Sequence, residues 1–154
     1  MVLEFLSPLN ALLQSELLLA LALFGLTATL IAFCVPGMIV PLSMSSGALL
    51  GGWQGVLVVS AGALLGSQAL FLVTRHLMQH RVKNRFGSRI AKFETHLEKG
   101  GFLYVLGLRL VGAPHFVVTA GCALSPLRTA PFVAATLIGF LPVIALTSAA
   151  GSAF

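Results

Sequence analysis

LLLALALFGLTATLIAFCVPGMIVPLSMSSGALLGGWQGVLVVSAGALLGSQALFLVT, residues 17–74, runs for fifty-eight positions without one Asp, Glu, Lys or Arg. As a single helix rising about 1.5 Å per residue it would far outrun a hydrocarbon core about 30 Å thick. The chain must therefore turn inside this stretch. Pro36-Gly37, then Pro41 and the small-residue run 43–52, mark where. Residues 17–35 read as a first span and 53–74 as a second. The segment between them is too short and broken for a plain crossing. It is either an extramembrane hairpin loop or a re-entrant loop that enters the bilayer and returns. Met38-Ile39-Val40 and Ala48-Leu49-Leu50 are too apolar for a good aqueous loop, which favours re-entrance.

The rest of the 154 residues fit that start. Hydrophobic residues make up 58% and charged residues 8% of the chain. A soluble domain carries about a quarter charged residues, so lipid is the solvent that suits this composition. Seven of the nine Lys and Arg fall between Arg75 and Lys99. A basic run joining two apolar halves is what the positive-inside rule expects, so 75–99 reads as a cytoplasmic linker able to meet anionic headgroups. A nucleic-acid role is not expected. Glu4 and Glu16 precede any Lys or Arg, which argues against a cleaved signal peptide. Residues 1–16 read as an N-terminal interfacial segment and 17–154 as a single membrane domain. Cys34 and Cys122 sit in apolar surroundings and read as buried hydrophobes rather than a disulfide.

The second half repeats the theme. Residues 101–110 are apolar, Arg109 and Gly112-Ala113-Pro114 break the segment, 117–124 recover it, and Pro126 ends it. A long apolar helix follows over 129–150, bent or interrupted near Pro142. Gly47-Ala48-Leu49-Leu50 aligns with Gly121-Cys122-Ala123-Leu124, Pro41 with Pro114 and Gly66 with Gly139, given a one-residue gap. Paired interrupted segments in two halves point to a transporter-like site built on internal repeats. Pro36, Gly37, Gly47, Pro114 and Gly121 are the expected turn formers. Gly62 and Gly66, mid-helix, are expected to pack helices closely.

Arg109 is the sharpest candidate. A central membrane arginine costs about 2.5–3.5 kcal/mol on insertion scales, so such residues face a partner or a wet cavity. A guanidinium there suits a phosphate or carboxylate. The alternative is a side chain that snorkels from a helix end to the interface. His115 is a candidate second donor to the same anion. His76 and His80 share a helix face, but no acid or thiol joins them and no metal site is expected. Without Asp, and with no Glu in an apolar segment, the sequence lacks material for paired-carboxylate or triad chemistry, so neither an enzyme nor a cofactor is expected.

Phe33-Cys34-Val35-Pro36-Gly37, through Ser46-Gly47-Ala48-Leu49-Leu50-Gly51-Gly52-Trp53-Gln54-Gly55, resembles the DedA / VTT-domain superfamily, also called SNARE-associated Golgi proteins. Gly62 to Gly66, Arg75, Leu108-Arg109-Leu110, Pro114, Ala120-Gly121 and Phe132 to Pro142 follow in the same order, over roughly residues 30–150. The resemblance implies a multi-pass, all-α membrane domain of a bacterial-type inner (plasma) membrane, with two re-entrant loops facing each other. It also implies a role in moving phospholipid or carrier-lipid phosphate between leaflets, with Arg109 in the second loop and Pro36-Gly37 in the first. The sequence departs from the family in three ways. Met38 and Ser67 stand where many members have acids, the stretch 109–121 is short and lacks a second arginine or asparagine, and no final span follows before Phe154. Missing acids weaken proton coupling and leave passive lipid movement open. The expected partners are membrane lipids, chiefly anionic ones, with a homo-oligomer left open. A proton-coupled solute transporter and a non-transporting assembly module are the alternatives.

Overall fold

The computed structural model describes the backbone of residues 2–153. It describes the side chains of 14–77, 79–81, 83–85, 87–88, 91–92 and 94–153. Among these residues the chain is helix and turn throughout. The helices are α1 (Val2–Ala32), α2 (Ile39–Leu50), α3 (Gly52–Val73), α4 (Gln79–Leu110), α5 (His115–Leu124) and α6 (Thr129–Gly151), with a π turn, Thr74–Met78, joining α3 to α4. Among the described residues, three apolar stretches are long enough to cross a membrane: Gln14–Ala32, Gly52–Leu77 and Thr129–Gly151. Their outward faces carry Leu18, Leu21, Leu57, Leu65 and Leu146 in the open, a surface made for lipid rather than water.

Each half has the same plan, and the match lies in how the helices end. At the close of α1, Cys34 N–H donates to Ile31 O (3.0 Å) and Val35 N–H to Leu30 O (3.1 Å). At the close of α4, Gly112 N–H donates to Arg109 O (3.2 Å) and Ala113 N–H to Leu108 O (2.9 Å). Both are Schellman ends, with Cys34 (φ +59°) and Gly112 (φ +80°) as the left-handed residue. Pro36 and Pro114 follow two residues later, where a proline prevents the helix from resuming. A short helix (α2 or α5) and then a long one (α3 or α6) complete each half. By this register Pro36, not Pro41, is the counterpart of Pro114. Pro41 sits in the first turn of α2, where its missing N–H has no intrahelical partner to lose.

The long helices α3 and α6 pack against each other. α1 lies on α3, α4 lies on α6, and α2 sits mainly on α6 and α3. Glycines set the closest approaches. A Cβ on Gly62 would come within 2.8 Å of Phe24 O, and one on Gly66 within 2.9 Å of Ile31 Cβ.

Several expectations need correction. Gly47 and Gly121 are not turn residues: they lie inside α2 and α5. Small residues that would loosen a helix in water serve helix contact here. Residues 75–99 are helical, forming the π turn and the basic part of α4, because Arg, Lys, Glu and Leu are good helix formers. Gly101, at φ +44°, stands where the basic part of α4 meets its apolar end. α6 keeps its helical course through Pro142.

Candidate functional site

The two Schellman ends and their prolines meet at one cavity of about 400 Å³. The first half brings Ile31, Cys34, Pro36 and Gly37 to its wall, the second brings Arg109, Gly112, Pro114 and His115, and α6 adds Gly139 and Phe140. Five sequence candidates therefore come together: Pro36, Gly37, Arg109, Pro114 and His115. Gly47, Gly62, Gly66 and Gly121 lie elsewhere, in helix contacts or the buried face of α5. His76 and His80 are exposed.

Arg109 is 6% exposed and does not snorkel. Its Cβ stands 2.5 Å from where a Cβ on Gly139 would be, so only glycine at 139 lets the arginine stem lie against α6. The head is held from all sides. Nη2 donates to Thr119 Oγ1 (3.0 Å) and Thr136 Oγ1 (3.4 Å), and Nη1 donates to His115 Nδ1. The guanidinium carbon lies 4.8 Å from the Phe140 ring centre and 5.7 Å from that of Phe132. These contacts offset part of the cost of burying the charge. Arg109 Nε and His115 Nε2 remain buried without a hydrogen-bond partner.

Ile31 occupies the matching position in the first half. Its carbonyl caps Cys34 as that of Arg109 caps Gly112, and Gly66 faces it as Gly139 faces Arg109. The site is thus built on a repeated frame but charged on one side only.

Sequence reading missed Thr119, Thr136 and Phe140. The available signal was a hydroxyl inside each of two apolar helices. It also missed what Arg75 does. Arg75 donates from Nε to Ala123 O (3.1 Å) and from Nη2 to Ser125 O and Leu127 O (2.8 Å each), so it closes the C-terminal end of α5. Its guanidinium lies 4.7 Å from the Phe71 ring centre, and Phe71 stacks on Phe132 at 4.6 Å. A cation–ring–ring–cation column therefore links Arg75 to Arg109. Charge-assisted hydrogen bonds contribute about 1.5–3 kcal/mol each when well made. Arg75→Ala should lower stability by about 2 kcal/mol or more, after discounting for partial exposure. The check is the unfolding midpoint in detergent together with amide exchange over α5. Arg75→Lys should recover little, since one ammonium cannot span three carbonyls.

Comparison with known proteins then places this frame. The family model for the VTT domain matches residues 31–153. This chain belongs to the VTT-domain family. The match begins at Ile31, inside the first helix end, and takes in both short helices and the whole cavity. The VTT domain is also 33% identical over 112 residues to the uncharacterized protein YqeD of Bacillus subtilis (strain 168), covering 71% of this chain and 54% of that protein. It thus spans about half the length of the curated relative it matches. No solved structure matches it. With its apolar helices, this is a membrane protein of the DedA/VTT type.

Proposed function

We propose that this VTT domain helps phospholipid or lipid-phosphate cross the bilayer, with Arg109 meeting the headgroup phosphate and His115 as second donor. One observation carries the reading: two proline-broken helix ends converge on a cavity that is chiefly apolar except where a buried arginine and a half-buried histidine line it. α6, at 23 residues, is about 34 Å long, close to the hydrocarbon thickness. Gly139, against which Arg109 rests, lies ten residues from its start, about 15 Å in. If α6 spans the membrane, the arginine sits near the midplane, and the turns at Pro36 and Pro114 are re-entrant. Non-helical backbone at that depth is tolerable because protein and a cavity surround it. The described lining contains no acid, which favours lipid movement over proton-coupled solute transport.

The test is lipid translocation in vesicles: reconstituted protein should speed the exchange of labelled phospholipid between leaflets well beyond protein-free vesicles. Equal rates would end the lipid reading. Topology gives a second expected result. In the plasma membrane of a bacterial cell, a cysteine replacing Ser88 should react with an impermeant thiol reagent only from the cytoplasmic side. A cysteine replacing Val111, beside the second turn, should resist the reagent from that side. Free labelling at 111 would make that turn an ordinary exposed loop.

A further inference from the structure

The hydrogen bonding at the cavity fixes its charge, and the charge selects the kind of phosphate. A guanidinium N–H can only donate, so His115 Nδ1, which faces Arg109 Nη1, must accept. The imidazole proton therefore sits on Nε2, and the ring is neutral. Two nitrogens are left without any acceptor, Arg109 Nε and His115 Nε2, both buried. An unmet buried donor is costly, and an incoming acceptor would relieve it. Both residues line the cavity, and no other cation or acid among the described residues does. Cys34, which also lines the cavity, is a free cysteine and as a thiol carries no charge. The fixed charge of the site is one positive unit.

Resting on the lipid reading above, we infer that the cavity takes a singly charged phosphate diester in preference to a doubly charged phosphate monoester. A diester cancels the arginine and leaves a neutral, desolvated pair. A dianionic monoester leaves one negative charge in an apolar cavity, where an unpaired ion is strongly disfavoured. Beyond Arg109 and His115 the wall is chiefly Ile31, Val35, Ile39, Val40 and Val143, with the Cys34 thiol as a weak donor only, so it offers no strong side-chain hydrogen bond to the alcohol on the phosphate. The site therefore reads the charge of the phosphate and ignores the group beyond it.

The experiment uses the intact protein in phosphatidylcholine vesicles and compares labelled phosphatidylglycerol with labelled phosphatidic acid. The second ionisation of a phosphate monoester lies near pH 6, so phosphatidic acid is mainly monoanionic at about pH 5 and mainly dianionic at about pH 8. The expected result is similar rates for both lipids at the lower pH, and a phosphatidic acid rate at least about tenfold slower at the higher pH. Phosphatidylglycerol should change little. Equal rates at both pH values would overturn the charge rule while leaving the lipid reading intact. A parallel arm follows escape of entrapped dimethyl phosphate and methyl phosphate. Escape of dimethyl phosphate with no lipid exchange would keep the preference for a diester and assign it to a soluble ligand. If phosphatidic acid moves and no diester does, the charge rule falls and the lipid reading stands; if neither lipid moves and neither soluble phosphate escapes, both fall.

Discussion

Gly47→Leu should leave little folded protein, because the backbones of α2 and α6 touch at this point. A Cβ on Gly47 would fall on the Ser148 carbonyl, and a Cβ on Gly151 would fall on the Met44 carbonyl. Each helix thus gives a glycine to the other's main chain. Around these contacts Ser43 and Thr147 share a hydroxyl–hydroxyl hydrogen bond, and Ser148 Oγ donates to Gly52 O at 2.9 Å. Close approach through small residues is how helices gain packing energy where lipid removes the hydrophobic drive. The obstruction is backbone, which cannot swing aside as a side chain can. Overpacking a tight site costs about 1–3 kcal/mol when the core can adjust, and more is expected here. Even Gly47→Ala should be clearly destabilising. Gly25→Ala supplies the control: nothing lies within 4 Å of its added Cβ, and removing a helix glycine should gain up to about 1 kcal/mol. The measurement is the unfolding midpoint and the monodisperse fraction in mild detergent. A midpoint for Gly47→Leu equal to that of Gly25→Ala would mean that α2 does not seat on α6 in this way.

The same glycine shows what the sequence could and could not tell. Hydropathy located the three long helices to within a few residues, because an apolar run of about twenty side chains matches the thickness of a bilayer and little else. The breaks at Pro36 and Pro114 were equally plain. The small-residue run around Gly47 was ambiguous, since a glycine that loosens a helix in water and one that tightens a helix pair in lipid are the same letter. The register of the repeat was hidden for a different reason. Its signature is a pair of hydrogen bonds at each helix end, and in the first half the left-handed residue is Cys34, which carries no turn signal. Arg109 and His115 stood out as polar groups in apolar surroundings. Thr119 and Thr136 did not, because a threonine in an apolar helix usually bonds its own backbone, as Thr27, Thr29 and Thr147 do here. Only the packed structure tells the two uses apart. Arg75 was read as the start of a solvated basic run, and its service to the carbonyls of another helix depends on contacts about fifty residues away in sequence.

Arg109→Met should abolish lipid movement while leaving the protein as stable as the parent or more so. An arginine kept as a strut and one kept to meet an anion predict opposite results. Its partners are neutral: two hydroxyls, an imidazole nitrogen and two ring faces. Such contacts offset a burial cost of about 2.5–3.5 kcal/mol but leave no surplus comparable to a paired ion. Replacing buried charge with an apolar side chain of similar shape is often neutral or stabilising. Methionine keeps the unbranched stem that lies against Gly139 and omits the charge. The loss appears instead in function, where a phosphate would enter an apolar cavity with nothing to cancel it, and translocation should fall by at least about a hundredfold. Arg109→Lys should fall between, since an ammonium restores the charge without the fork that reaches Thr119, Thr136 and His115 together. Unfolding midpoints and vesicle exchange rates on the same preparations decide the matter. A methionine variant that unfolds several degrees earlier yet still moves lipid would make Arg109 a piece of scaffolding. A variant that is stable and silent would mean the domain tolerates an uncompensated charge in its interior for the sake of the anion it meets there.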